Sequence, residues 1–197
     1  MKQQEKHRTH ELHIKNMNSR CCFRLIRLEF EPLGIEIHEL KAGYAKVSFD
    51  TEKITLNQID EILKVSGLSL ISNPKLILLE KVKQTVIELI HYMNNADSIA
   101  RKSDYLVEKL RMSYRHISAL FRKYEPLTLE RFIILHKIER VKDLIDSEEY
   151  TLSEIAYMMD YSSVQYLSNL FKKETGVSVS EYKQNPQDYK KSWDELY

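Results

Sequence analysis

The feature that most constrains this chain is that it repeats itself. Residues 116–123 read HISALFRK and residues 166–173 read YLSNLFKK, and the offset of 50 needs no gap. Under it Ser113 meets Ser163, Ser118 meets Ser168, Leu120 meets Leu170, Phe121 meets Phe171 and Lys123 meets Lys173. The match continues upstream (Ser103 on Ser153, Asp104 on Glu154) and downstream (Thr128 on Ser178, Phe132 on Tyr182). Two amphipathic helices coincide at apolar positions by chance. They do not coincide at serines between helices over an ungapped stretch. A repeat of this kind is one supersecondary unit used twice.

Each copy has the anatomy of helix, short turn and second helix. In the second copy Thr151 and Glu154 form a capping-box pattern, with Ile155, Ala156 and Met159 as an apolar stripe. Asp160-Tyr161-Ser162-Ser163 breaks that helix, and a second runs from Val164 to Thr175, with Leu167, Leu170 and Phe171 on one face. Gly176 ends it as a left-handed cap. In the first copy the helices are 103–110 and 114–124, and the buried face of the second is Ile117, Leu120 and Phe121. Glu125-Pro126 stops it, because proline disfavours helix in the residue before it. The two units therefore span about 103–124 and 152–175. Between them residues 129–147 form a long amphipathic helix, with Phe132, Ile133, Leu135, Ile138, Val141, Leu144 and Ile145 on its stripe. It is expected to hold the units at a fixed separation.

A helix-turn-helix lays the exposed side of its second helix in the major groove of double-stranded DNA. With the apolar faces assigned, that side is Arg115, Ser118, Ala119 and Arg122 in copy one, and Gln165, Ser168, Asn169 and Lys172 in copy two. Arg reads guanine, and Gln and Asn read adenine, by paired hydrogen bonds. Net charge gives no global signal: it is +1 for the chain. Residues 1–95 hold 14 Lys and Arg against 12 Asp and Glu, and residues 96–197 hold 16 against 17. Local charge does give one. From Lys109 to Lys123 there are five basic residues and no acidic one, while acids gather between Asp143 and Asp160.

At this point the sequence resembles the DNA-binding domain of AraC/XylS-type transcription regulators. The resemblance is carried by Lys137-Ile138-Glu139-Arg140-Val141 with Leu144, then Leu152-Ser153-Glu154-Ile155-Ala156, Tyr161-Ser162-Ser163, Tyr166-Leu167, Phe171-Lys172-Lys173, Thr175-Gly176-Val177 and Glu181-Tyr182. It implies two recognition helices in successive major-groove segments on one face of DNA. It also implies base-reading roles for Arg115, Ser118 and Ala119, and for Gln165, Ser168 and Asn169. Three departures stand out. Asp160 occupies the turn position where the family has Gly, and Asp tolerates a left-handed conformation better than most residues. Glu125-Pro126-Leu127 replaces a Gly-containing loop. Ala119 sits where a long polar residue is common, so copy one is expected to read fewer bases and to position more.

The N-terminal half has another pattern. Residues 10–17 alternate as a strand, 19–33 form a helix with Cys22, Leu25, Ile26 and Phe30 on one side, and 35–40 and 44–49 alternate again. Residues 55–65 form a second helix with Leu56, Ile59, Ile62 and Leu63 inward, and 68–71 a last strand. The order βαββαβ is that of a ferredoxin-like domain over residues 10–73. A connecting helix follows at 75–95, then the double helix-turn-helix domain at 96–185. The fold class is thus an α+β N-terminal ferredoxin-like domain, a connecting helix and an all-α domain.

This half resembles the heavy-metal-associated domain, often built around Met-x-Cys-x-x-Cys after the first strand. Met17 and Cys22 fall in register, but Ser19 stands at the first cysteine position. Cys21 and Cys22 are the candidate soft-metal ligands, and adjacent residues on a helix point about 100° apart. The expectation is that Cys22 is a buried apolar residue, Cys21 an incidental thiol, and no metal or other cofactor is bound. His7, His10 and His13 recur every third residue in what reads as a solvated tail.

No phosphate loop, nucleophile elbow or zincin motif occurs. Arg111, Arg115 and His116 have no nucleophile or carboxylate pair nearby, so the chain is not read as an enzyme. With no long apolar run and no signal-peptide core it is read as cytoplasmic, with no membrane partner. The expected function is sequence-specific DNA-binding transcription regulation. RNA polymerase and a second copy, joined through the N-terminal half, are the candidate protein partners. The alternative is a metal-binding or metallochaperone-like protein with a helical interaction domain.

Overall fold

A computed structural model of the chain describes residues 7–92 and 102–189. The chain divides into two compact units, residues 1–84 and 85–197. The boundary falls inside the helical run that the sequence marks as a connector.

The first unit runs β1 (His7–Lys15), α1 (Arg20–Phe30), β2 (Glu36–Lys41), β3 (Tyr44–Asp50), α2 (Leu56–Val65) and β4 (Ser69–Leu70), then enters α3 (Pro74–Ile87). The four strands form one sheet in the order β2-β3-β1-β4, each pair antiparallel. Alternate residues of β1 point to opposite faces. Leu12 and Ile14 enter a core with Val47, Phe49, Ile26, Phe30, Ile59 and Leu63. Local chemistry sets the helix starts: Ser19 caps α1, and Thr55 with Gln58 makes a capping box on α2.

Several expectations shift here. The first helix ends at Phe30 and continues only as a 3-10 turn over Glu31–Leu33, where Pro32 offers no amide for a further α-turn. Gly34, at φ 70, then redirects the chain into β2. Leu56, expected inward, is exposed because it opens α2 above the core. The first strand begins at His7, so His7, His10 and His13 are not a tail before it. The pleat puts His10 on the core side, stacked on Phe49 at 4.6 Å between centroids, and His7 and His13 on the other side. Three imidazoles at that spacing cannot converge from one strand.

α3 passes directly into a π-helical turn, Glu88–Tyr92, in the second unit. Residues 93–95 of the expected connector lie outside the described residues. The second unit continues with α4 (Lys102–Leu110), α5 (Tyr114–Tyr124), α6 (Leu129–Asp146), α7 (Leu152–Met158), α8 (Val164–Thr175), α9 (Val179–Gln184) and a 3-10 turn, Pro186–Tyr189. α5 and α8 have the bounds read from the sequence.

α6 is the centre of this unit. It packs against α5, α7, α8 and the π-helical turn. Its expected stripe is only part of what it buries. Phe132, Ile138, Val141, Leu144 and Ile145 are buried, Ile133 and Leu135 half-buried, and His136, Lys137, Glu139 and Lys142 are buried as well. The helix is enclosed rather than amphipathic, because elements pack on more than one side of it. Its buried charges are paired. Lys142 Nζ donates to Glu139 Oε1 at 2.7 Å and to the Tyr189 carbonyl at 2.9 Å. Lys137 Nζ lies 4.3 Å from the centroid of the Tyr161 ring. Arg131 pairs with the buried carboxylate of Glu174 on α8. α9, which the sequence reading passed over, contributes the fully buried Tyr182, whose hydroxyl donates to Asp146 Oδ2 at 3.2 Å.

Ile138 is 2% exposed at the middle of this helix. Ile138→Ala should destabilise the chain by about 2–5 kcal/mol through lost transfer and a residual cavity. Denaturant unfolding of the two forms measures it. A change well under 1 kcal/mol would mean the neighbours collapse around the gap.

Candidate nucleic-acid interface

The repeated serines are helix caps. Ser113 Oγ accepts from the His116 amide at the start of α5, and Ser163 Oγ accepts from the Tyr166 amide at the start of α8, at 3.3 and 3.1 Å. Thr128 and Ser178, also related by the repeat, cap α6 and α9 in the same way. The unit is therefore conserved internally at the atoms that start each helix, which explains why the match extends beyond the apolar positions.

The turns use the same device, one place apart under the offset of 50. Each first helix is followed by one residue in the left-handed region, Arg111 at φ 53 in copy one and Asp160 at φ 55 in copy two. Asp160 thus adopts the conformation expected of it in place of glycine. Gly176, at φ 85, caps α8 through its amide to the Lys172 carbonyl. α5 instead ends at Glu125 in an extended conformation ahead of Pro126.

On α5, Ile117 and Phe121 are fully buried and Leu120 nearly so, while Arg115, Ala119 and Arg122 are exposed and Ser118 is half-buried. On α8, Leu167 and Phe171 are fully buried and Leu170 is only half-buried. Gln165, Asn169 and Lys172 are exposed and Ser168 is half-buried. Gln165 Nε2 donates to Asn169 Oδ1 at 3.0 Å, so the two amides already form one hydrogen-bonded unit on the open face. Six of the eight residues read from the sequence are exposed, and Ser118 and Ser168 are half-buried.

Two further pairs share that exposed surface. At about 100° per residue, His116 and Lys123 flank one side of the α5 face, and Tyr166 and Lys173 flank the same side of α8. All four are exposed, and the repeat relates His116 to Tyr166 and Lys123 to Lys173. The sequence carried the signal, since both pairs lie inside the aligned octamers. At the start of α5, the Tyr114 hydroxyl donates to Glu130 Oε1 at 3.0 Å. Burial and that carboxylate push the phenol up to about 12, so it stays a protonated donor. Burial likewise raises the Tyr161 phenol beneath α8, where its ring sits 6.0 Å from that of Tyr166.

The metal candidates in the first unit are neighbours on α1. Cys21 is exposed and Cys22 half-buried, both as free thiols. Ser19 Oγ caps α1 and lies 3.3 Å from Cys22 Sγ, so a hydroxyl stands where a second thiolate would be needed. Among the described residues no group of three His, Cys, Asp or Glu side chains could hold a metal ion. Among them, too, no helix is long and apolar enough to cross a membrane.

Residues 106–185 match the family model for a helix-turn-helix domain. The match takes in both α5 and α8. The xylose operon regulatory protein of Escherichia coli K12 is 28% identical over 98 residues, which are 50% of this chain and 25% of that protein. Its counterpart in Haemophilus influenzae is 27% identical over 100 residues, 51% of this chain and 26% of that protein. The chain thus spans about a quarter of the length of the curated relatives it matches. Among solved structures, it is similar to the C-terminal domain of AraT, a response regulator from Geobacillus stearothermophilus, at 21% identity and a TM-score of 0.43 over 57% of this chain and 85% of that one. It is also similar to the transcriptional regulator CdpR from Pseudomonas aeruginosa, at 15% identity and a TM-score of 0.43 over 88% of this chain and 55% of that one.

Because the two capped starts do the same job, Ser113→Ala and Ser163→Ala should each cost about 1 kcal/mol of stability, and Ser→Asp at either site should restore most of it. Thermal unfolding of the four variants checks this. Equal losses for Ala and Asp would show that the serines act by something other than capping.

Proposed function

We propose that the chain is a sequence-specific DNA-binding transcription regulator of the AraC type, and not an enzyme. The observation that carries this reading is the pair of repeat-related helices, α5 and α8. Each starts at a serine cap, and each keeps a basic or amide-bearing face open beside a shared central helix. Arg115 and Arg122 on α5, and Gln165, Asn169 and Lys172 on α8, are the groups that would meet base edges. Ser118, Ala119 and Ser168 line the same faces. The flanking pairs, His116 with Lys123 and Tyr166 with Lys173, would hold phosphates, giving register and affinity without sequence information. With one rigid domain carrying both helices, a single chain would cover two successive major-groove segments, about 34 Å apart. RNA polymerase and a second copy of the chain are partners this reading implies.

The first unit is read as a ferredoxin-like module. Support comes from its βαββαβ order and from the antiparallel sheet order β2-β3-β1-β4. The likeness to heavy-metal-associated domains stops at the Ser19 position. A metallochaperone is not favoured, because the cap of α1 and the first thiolate of such a site would need the same residue.

Binding to a selected operator, measured by gel shift and footprinting at several salt concentrations, tests the reading. Gln165→Ala or Asn169→Ala should cost about 1–3 kcal/mol at the selected site and little on unrelated DNA. Tyr166→Phe with Lys173→Ala should weaken both alike and lower the salt slope by about 1. Equal losses on all sequences for the amide variants would make them positioning residues. No shifted band with any genomic fragment would sink the proposal.

The metal alternative has its own measurement. Titration with Cu(I) or Zn(II) should give the same weak response for the native chain and for the Cys21→Ser/Cys22→Ser double variant. A tight stoichiometric complex abolished by the double change would reverse the assignment.

A further inference from the structure

Within the first unit, α3 turns an unusual stripe toward the outer face of the sheet. Ile77, Glu80, Lys81 and Gln84 follow the i, i+3, i+4, i+7 spacing of one helix face, and all four line a cavity of about 440 Å³. A helix that packs on a sheet only to build a core presents an apolar stripe there. This one presents a carboxylate, an ammonium and an amide, while its Leu79, Val82 and Val86 lie on the opposite side. The volume is in the range of about 300–1,000 Å³ typical of small-molecule sites.

The floor of the cavity is the sheet face away from Leu12 and Ile14. Its strand register forms two rows: Glu11 opposite Lys46 opposite Glu39, then His13 opposite Tyr44 opposite Lys41. Glu39 pairs with Lys41. His13 is held below its usual range by burial and by Lys81 overhead, so at neutral pH its ring is uncharged. Both ends are fastened. Glu80 is buried and its Oε1 accepts the Asn16 amide at 3.1 Å. The Gln84 amide, oriented to satisfy both neighbours, donates to the Ala42 carbonyl and accepts from the Gly43 amide, each at 3.1 Å. A Cβ on Gly43, at φ +65, would come within 1.9 Å of the Gln84 amide and displace it. The polar stripe is thus fixed over the strands without collapsing onto them.

The Glu11 carboxylate belongs to the floor, beside the Glu39–Lys41 pair, and the Lys81 ammonium to the roof, beside the anchored Glu80; Ile71 and Ile77 give the cavity an apolar side. We propose that this cavity is a binding site for a small aliphatic α-amino acid. Its ammonium would face Glu11, its carboxylate would face Lys81, and its side chain would lie against Ile71 and Ile77. Charge-assisted hydrogen bonds at both ends of a zwitterion select against molecules that carry only one of the two groups. The site stands independently of the DNA-binding reading. If that reading also holds, the ligand is an effector.

Calorimetric titration of the full chain with L-leucine and L-valine tests the site directly, without DNA. Saturable binding to one site is expected. Leucinamide, which lacks the carboxylate, and 4-methylpentanoate, which lacks the ammonium, should bind at least about tenfold more weakly. Lys81→Gln should weaken L-leucine about tenfold or more but leave leucinamide unchanged, and Glu11→Gln should do the reverse, sparing 4-methylpentanoate. Both substitutions lie on wall surfaces outside the core, and unchanged melting curves verify the fold. Absence of saturable binding by either amino acid at millimolar concentration overturns the proposal. So does binding that both variants leave intact. Failure here with a positive gel shift would discard the site and keep the DNA-binding reading.

Discussion

The second unit depends on the burial of α6 with its charges satisfied. Taking Lys142 and Glu139 out of water costs several kcal/mol per ion, and their attraction offsets this only where the remaining hydrogen-bonding capacity is used. Here it is used: the ammonium reaches both the Glu139 carboxylate and the Tyr189 carbonyl. Apolar contacts alone would tolerate a small slide or rotation of a buried helix. Directional bonds from Lys142, with Arg131 held to Glu174 and Lys137 over Tyr161, do not. The polar groups of α6 therefore fix its register against the second helix-turn-helix, while Phe121 against Phe132 ties it to the first. Separation between α5 and α8 becomes a property of one helix and its partners, and not of a flexible connection.

What was legible in the sequence was what local chemistry decides. α5 and α8 begin at serines whose hydroxyls take the first free amides, and α8 ends at Gly176, so their bounds follow from a few residues each. Asp160 was readable as a left-handed turn for the same reason. The character of α6 was not readable. Its apolar residues recur at the helical period, but the burial of Lys137, Glu139 and Lys142 depends on Tyr161 and Tyr189, distant in sequence. α9 is only six residues long, too short for periodicity to show, although its capping box of Ser178 and Glu181 was in plain view. Alternation shows from His10 onward, but β1 begins three residues earlier, at His7, because its pairing with β3 reaches back to Asp50.

In the first unit one position shows how capping and ligation compete. Ser19 Oγ takes the Cys22 amide and starts α1, and it also sits within 3.3 Å of Cys22 Sγ. A thiolate there would make the weaker cap and the stronger metal ligand. Serine reverses both, so the helix start is secured and a linear soft-metal site is given up. On the other face of the same sheet, the polar side of α3 is anchored to loops rather than packed into a core. Glu80 and Gln84 are anchored at the loop ends, which leaves the rows of β1, β2 and β3 beneath them open to a ligand.

α5 and α8 differ in a way that bears on how they would divide the work on the proposed reading. α5 offers arginines on either side of Ala119, groups equally able to grip phosphates or guanine. α8 offers Gln165 and Asn169 already joined by a hydrogen bond of 3.0 Å. That bond holds both amides in place before DNA arrives, which lowers the ordering cost of binding. It must also be exchanged for bonds to base edges if either amide is to read adenine with both its donor and its acceptor. A correct base pair offsets the exchange. A wrong one leaves two buried amides worse satisfied than in the free protein, and unpaired polar groups at a dry contact are costly. Discrimination on the proposed reading therefore concentrates in α8, through the penalty for mismatch, while α5 contributes mainly charge. A short alanine at position 119 is then no defect of the first unit, because the helix beside it is already stocked with cations for the backbone.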